Sequence, residues 1–210
     1  MSSSVVPATV RRQVRLPLGV GGSYEAEVFT FDGLCDGGEH LALALGDHAR
    51  GPGCVPLVRL HSECLTGDVL GSRRCDCGPQ LSEAVARISA TGGYLLYLRQ
   101  EGRGIGLYNK LDAYALQDAG LDTFEANVAL GFEEDERDYT AAAQMLLGLG
   151  VEELDLLSNN PDKAAQLEAA GVRVNRRVAT GVHLSTDNGR YLAAKAWQGH
   201  DLLGLEASGL

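Results

Sequence analysis

Three cysteines, Cys64, Cys75 and Cys77, fall within fourteen residues, and their spacing restricts this chain more than any other feature it carries. Thiolates are soft donors that suit zinc. Two ligands one residue apart reach a single ion only if the backbone turns between them, which Asp76 and Gly78 permit. The stretch from Cys64 to Cys75 must then fold back on itself. A structural zinc site closes with four protein ligands, whereas a catalytic one keeps a position open for water, whose pKa falls towards about 7. Three clustered cysteines therefore point to an open site with one zinc per chain. The competing reading is a structural Cys3His site with His61 as fourth ligand. In an extended strand Arg59, His61 and Glu63 share one face, which turns Cys64 away from His61 unless the strand ends between them. Cys35 and Cys54 have no partner at ligand spacing and read as ordinary thiols.

Five cysteines is an odd number for a disulfide framework, and the first twelve residues hold no apolar signal segment. No apolar run approaches the roughly 18 residues of a membrane span. These features predict a cytoplasmic protein with no membrane partner. The net charge of −10 and pI near 4.9 argue against nucleic acid as a partner, because that affinity comes from neutralising phosphates. A small phosphate ester remains compatible if the site gathers its own cations. Arg59, Arg73, Arg74, Arg103 and Arg137 all lie in the motif-rich middle of the chain.

Periodicity and Gly/Pro punctuation predict strands at 24–31, 39–45, 55–61, 94–98, 153–157 and 172–178. They predict helices at 79–89, 107–118, 139–147, 163–170 and 191–198, several ended by glycine. Residues 119–136 show little periodicity and read as a long loop. The first half is rich in strands and the second alternates helix with strand. The expected class is α+β, with mixed β-sheets and flanking helices. The expected organisation is one domain over 9–205, with short disordered tails at 1–8 and 206–210.

The segment Gln100-Glu101-Gly102-Arg103-Gly104-Ile105-Gly106 follows a predicted buried strand and opens a helix. Its glycines allow close backbone approach and a helix N-terminus favours an anion. The spacing is neither Walker nor Rossmann, and a tight strand-to-helix turn explains it equally well.

Taken in order, several blocks resemble the signatures of GTP cyclohydrolase II. They are Arg59-Leu60-His61-Ser62-Glu63-Cys64-Leu65-Thr66-Gly67-Asp68, Arg74-Cys75-Asp76-Cys77-Gly78, the Gln100–Leu107 segment, Asn109-Lys110, Tyr114-Ala115-Leu116-Gln117-Asp118, Glu125-Ala126-Asn127, Leu130-Gly131-Phe132, Asp135-Glu136-Arg137-Asp138-Tyr139 and Ser158-Asn159-Asn160-Pro161. The resemblance runs from about residue 55 to 178, and it is to the monofunctional form, without a preceding synthase domain. It implies hydrolysis of GTP with loss of C8 as formate and of diphosphate, the entry to riboflavin synthesis. It also implies zinc, magnesium with the substrate phosphates, and a homodimer.

Residue by residue, the resemblance assigns the metal to Cys64, Cys75 and Cys77. It gives catalytic roles to Tyr114, Asp135 and Arg137. GTP contacts fall on Arg59, Leu60, His61, Ser62, Glu63, Gln80, Glu101, Gly102, Arg103, Thr123, Ser158 and Lys163. Ser158 stands where threonine is common, and the hydroxyl is kept. Arginine is a poor nucleophile because its guanidinium stays protonated, so Arg137 reads better as a stabiliser of triphosphate charge, with Asp135 as a base or as its orienting partner. Tyr114 reads as a water-orienting group or proton donor. Two other functions stay open at this stage: a paralogue that opens the purine ring and stops at the formamide, and a non-catalytic nucleotide-binding module.

Overall fold

The computed structural model describes residues 5–48, 53–197 and 199–201. The tail expected at 206–210 lies outside the described residues, as do residues 1–4 of the one expected at 1–8. Within the latter stretch Ala8 is buried, and its N–H donates to the Gln144 carbonyl at 3.0 Å.

Among the described residues seven strands form one mixed sheet: β1 (Thr9–Leu18), β2 (Tyr24–Asp32), β3 (Leu41–Leu45), β4 (Leu57–Ser62), β5 (Gly93–Leu98), β6 (Glu153–Leu157) and β7 (Arg173–Val178). Their order across the sheet is β1-β2-β3-β5-β4-β6-β7. The β1–β2, β2–β3 and β3–β5 pairs are antiparallel, and the β4–β6 and β6–β7 pairs are parallel. The helices are α1 (Cys77–Thr91), α2 (Leu107–Asp118), α3 (Thr123–Ala129), α4 (Thr140–Gly148), α5 (Pro161–Ala169) and α6 (Gly189–Trp197). This is the α+β class with helices flanking a mixed sheet.

Two elements depart from the sequence expectation. Strand β1 carries Arg11, Arg12 and Arg15, and its register with β2 shifts between Val10 and Arg12, so the period-2 signal is broken. As an edge strand it tolerates both the arginines and Pro17. Helix α3 lies inside the stretch read as a long loop. Its start is specified locally: the Asp122 carboxylate accepts from Phe124 and Glu125 N–H, and the Glu125 carboxylate accepts from Asp122 N–H. That reciprocal pair is a capping box.

The chain divides into two compact units. One comprises Met1–His61, Leu81–Arg99 and Asp138–Thr180; the other comprises Ser62–Gln80, Gln100–Arg137 and Gly181–Leu210. The first is built on the sheet. Residues of β2, β4, β5 and β6 alternate between its faces, so Phe29, Val58, Leu60, Leu96 and Leu156 meet Ala142, Met145, Leu146 and Leu167 of α4 and α5. From the other face Val28, Leu57, Leu95 and Leu157 meet Leu81, Ala84, Val85 and Ile88 of α1. Strands covered on both faces read as nearly continuous apolar runs. Each fully buried leucine contributes about 1.5–3 kcal/mol, and Leu156→Ala, at 0% exposure, would cost about 2–5 kcal/mol. In the second unit α2 packs on α3 and α3 on α6.

Candidate active site

In the second unit the chain leaves β4 at Ser62 and reaches Cys64, which opens a π-helical turn, Leu65–Val69. The turn folds back on Cys64. Asp68 N–H donates to the Cys64 carbonyl at 2.7 Å, Cys64 N–H donates to the Asp68 carboxylate at 3.0 Å, and Gly67 N–H donates to Cys64 Sγ at 3.3 Å. Irregular π turns of this kind concentrate at functional sites. Cys75 and Cys77 approach from the segment that starts α1.

The three Sγ atoms lie within 4.8 Å of one another, and they form the whole metal-compatible group found among the described residues. No histidine or carboxylate belongs to that group. Cys64 Sγ and Cys75 Sγ are 3.7 Å apart. Two sulfurs on a tetrahedral ion with bonds of about 2.3 Å stand roughly 3.8 Å apart, so the donor set fits zinc. Gly67 closes the cradle. A Cβ there would sit 2.8 Å from Cys75 Sγ and 3.0 Å from Cys64 Sγ, which leaves room for nothing larger than hydrogen.

The thiols are electrostatically unequal. Hydrogen bonds from Cys75 and Cys77, with the charge of Lys110, hold the Cys64 thiol far below the ordinary thiol range. Beside that charge Cys75 is pushed up to about 11 and Cys77 well above its usual value. Three adjacent thiols do not all ionise without a cation among them, and metal binding releases their protons.

Lys110 on α2 supplies one of the surrounding charges. Its Nζ lies 3.1 Å from Cys64 Sγ and 2.7 Å from Glu101 Oε1. Burial works against the ammonium, but the Cys64 thiolate and Glu101 outweigh it and keep Lys110 protonated. Glu101 also accepts from Leu65 N–H at 2.7 Å and Gly102 N–H at 3.0 Å. Its carboxylate thus ties the start of the π turn to the Glu101–Gly104 turn, in which Gly102 and Arg103 both adopt φ of 63°. For Arg103 that left-handed conformation is uncommon and costs energy. It is held by Glu136 N–H, which donates to the Arg103 carbonyl at 3.1 Å, and by the Arg103 guanidinium, 4.1 Å above the Phe124 ring.

Tyr114 lies one turn after Lys110 on α2. Its hydroxyl is 3.3 Å from Thr66 Oγ1, which is 3.6 Å from Cys64 Sγ. The Arg74 guanidinium stacks 4.9 Å from the Tyr114 ring centroid and is gripped by both oxygens of Asp118 at 2.6 and 2.8 Å. Burial raises the Tyr114 pKa, so the phenol is protonated at neutral pH. Asp135 holds Arg137 through both its oxygens, including Nε to Oδ1 at 2.8 Å. Burial alone would raise Asp135, but the hydrogen bonds and charge of Arg137 bring it below the ordinary carboxylate value. Thr123, first residue of α3, lines a cleft of about 910 Å³ within this unit, along with Arg73, Arg74, Asp118, Tyr191 and Trp197. Ser62 Oγ donates to Gln100 Oε1 at 3.4 Å, Glu63 is half-buried, and Gln80 is buried with its Nε2 2.5 Å from Asp76 Oδ2.

The remaining predicted residues belong to the sheet unit, at the carboxyl ends of the parallel strands β4 and β6, where ligands of open α/β sheets bind. Arg59 is buried and donates to the Leu157 carbonyl at 3.1 Å. Lys163 is buried in α5, donates to the Leu60 carbonyl at 2.7 Å and stands 5.3 Å from the Tyr139 ring centroid. Ser158 Oγ accepts from Asn160 N–H at 3.1 Å. His61 stacks on Tyr97 with centroids 5.6 Å apart.

Three residues at this site had no role in the sequence reading: Thr66, Lys110 and Asp118; Arg74, read there as one of five cations for a phosphate ester, stacks on Tyr114 instead. The available signal was Lys110 at i−4 from Tyr114, which puts both on one helix face.

Residues 9–179 match the family model for GTP cyclohydrolase II. A GTP cyclohydrolase-2 from Vibrio cholerae is 49% identical over 198 residues, covering 94% of this chain and 100% of that protein. One from Aliivibrio fischeri is 49% identical over 195 residues, covering 93% and 98%. The riboflavin biosynthesis protein RibBA of Bacillus subtilis is 54% identical over 170 residues, which is 80% of this chain and 42% of that longer protein.

Proposed function

The chain belongs to the GTP cyclohydrolase II family, and from that premise we propose that it hydrolyses GTP to 2,5-diamino-6-ribosylamino-4(3H)-pyrimidinone 5′-phosphate with release of formate and diphosphate, at the entry to riboflavin synthesis. The observation that carries this reading is the connection from the thiol triad through Thr66 to a protonated Tyr114.

We assign one zinc ion to Cys64, Cys75 and Cys77, and magnesium to the substrate phosphates. When bound, the zinc supplies Lewis acidity and a water whose pKa is lowered to about 7. The chain does the rest by positioning and charge. Gly67 N–H and Lys110 fix Cys64 in one orientation. Tyr114, kept neutral by burial, donates a proton to the nitrogen that leaves C8 as the imidazole ring opens. Thr66 and Arg74 hold its hydroxyl and its ring.

Arg137 keeps its charge and is oriented by Asp135; its role is to stabilise charge on the triphosphate. An ionised Asp135 with both oxygens on a guanidinium is an orienting group rather than a base. GTP recognition is assigned, as the family correspondence implies, to Arg59, Leu60, His61, Ser62, Glu63, Gln80, Glu101, Gly102, Arg103, Thr123, Ser158 and Lys163. Glu101 serves chiefly by holding Leu65, Gly102 and Lys110.

In this reading 9–205 acts as one catalytic domain, the enzyme works in the cytoplasm as a homodimer, and neither nucleic acid nor membrane is a partner. No helix among the described residues is long and apolar enough to cross a membrane. The test is incubation of the purified protein with GTP and magnesium, following formate and diphosphate separately and identifying the pyrimidine by mass spectrometry. Both products are expected. Diphosphate without formate means a paralogue that stops at the formamide; neither product means a binding module.

A further inference from the structure

We propose that Lys195 of α6 is a positioning residue for the metal loop, acting through Asp76, and that it slows loss of the metal from Cys64, Cys75 and Cys77. The proposal rests on the zinc assignment made above.

Asp76 stands between two of the three ligands, and its residue is 0% exposed. A carboxylate taken out of water requires a cation and satisfied lone pairs. Next to sulfur ligands the need is greater, because three thiolates around a divalent ion already carry an excess of negative charge. Lys195 Nζ meets Asp76 Oδ1 at 2.9 Å, with 12% of the lysine side chain exposed. Gln80 Nε2 meets Oδ2 at 2.5 Å, and Gln80 N–H donates to the Asp76 carbonyl at 3.0 Å. Asp76 is thereby held at both oxygens and at its backbone, and Cys75 and Cys77 on either side of it are held as well.

Lys195 is itself fixed. Its Nζ lies 4.4 Å from the ring centroid of Tyr191, one helical turn earlier on the same face of α6. The two lysines divide the work. Lys110 touches Cys64 directly, and Lys195 neutralises the carboxylate between Cys75 and Cys77. Lys195 comes from a helix beyond the residues 9–179 that match the family model, and 119 positions from Asp76.

Groups that hold a metal's ligands in place typically change metal affinity by about 10–100-fold when removed. The experiment measures zinc per chain in the purified full-length protein, then the rate of zinc transfer to a chromogenic chelator, with circular dichroism as a check on folding. Lys195→Met is expected to release zinc at least about tenfold faster, and Lys195→Arg to stay near the parent. Asp76→Asn removes the charge that Lys195 serves, so adding Lys195→Met to it should accelerate release little further. That comparison within the Asp76→Asn background also provides the answer if Lys195→Met alone does not fold. Equal release rates for parent and Lys195→Met, or an undiminished effect of Lys195→Met on the Asp76→Asn background, overturn the proposal. A parent protein that holds no zinc overturns the metal assignment instead.

Discussion

The hydroxyl of Thr66 stands 3.3 Å from the phenol oxygen of Tyr114, so a residue of the turn that Cys64 opens sets the position of the proposed proton donor. Thr66→Val keeps the shape and removes that hydrogen bond. The loss of about 0.5–1.5 kcal/mol corresponds to roughly a 2- to 13-fold fall in kcat, with zinc content unchanged and Thr66→Ser close to the parent. Steady-state kinetics alongside metal analysis checks this. An unaltered kcat in Thr66→Val would remove Thr66 from the mechanism.

Gly67 tests the cradle without touching a ligand. In Gly67→Ala the new methyl would lie 2.8 Å from Cys75 Sγ and 3.0 Å from both Cys64 Sγ and Cys77 Cβ, so the sulfurs must separate. Zinc content is expected to fall well below one per chain while the far-ultraviolet circular dichroism keeps its parent form. Full zinc occupancy in this variant would contradict the close approach seen here.

Lys110 and Glu101 form an ion pair with side chains 11% and 9% exposed. Lys110→Met strands the carboxylate, and breaking such a pair costs about 3–5 kcal/mol. Urea unfolding should show that loss, and Lys110→Met combined with Glu101→Gln should recover part of it. If the single and double variants are equally stable, the pair is not the source of the stability.

The pair of Asp135 and Arg137 gives a pH signature. Asp135 has a native pKa below its ordinary value of 3.8, so the unfolded chain takes up this proton more readily than the folded one. The stabilisation is present above about pH 4 and disappears as pH falls through the lower native value. The stability difference between parent and Asp135→Asn, from urea unfolding, should be constant from about pH 7 to 5 and shrink on descent below about pH 4. A difference that grows on acidification would reverse the sign assigned here.

Where a structural signal is short-range, it was present in the residues themselves. Helix α2 and strand β6 fall at 107–118 and 153–157 as periodicity and glycine punctuation predict, because a helix stripe or an apolar strand is written within a dozen positions. The thiol triad is equally local, with Cys75 and Cys77 one residue apart and Cys64 eleven before Cys75. Helix α3 was legible too, since Asp122 and Glu125 carry the capping pair, but a window of polar residues outweighed it. Strand β1 was not: an arginine-bearing edge strand is defined by its hydrogen bonds to β2, not by an apolar period of its own. Part of the thiols' surroundings is local, since Gly67 and Thr66 both meet Cys64 Sγ, but the charges around them belong to the tertiary structure. Thr66 meets Tyr114 across 48 positions and Lys195 meets Asp76 across 119. Such contacts depend on where packed helices deliver the ends of long side chains, and no spacing rule along the chain encodes that. The residues alone determined which atoms could bind a metal; folding decided which charges would surround them, because electrostatic energy depends on distance through space and on exclusion of water.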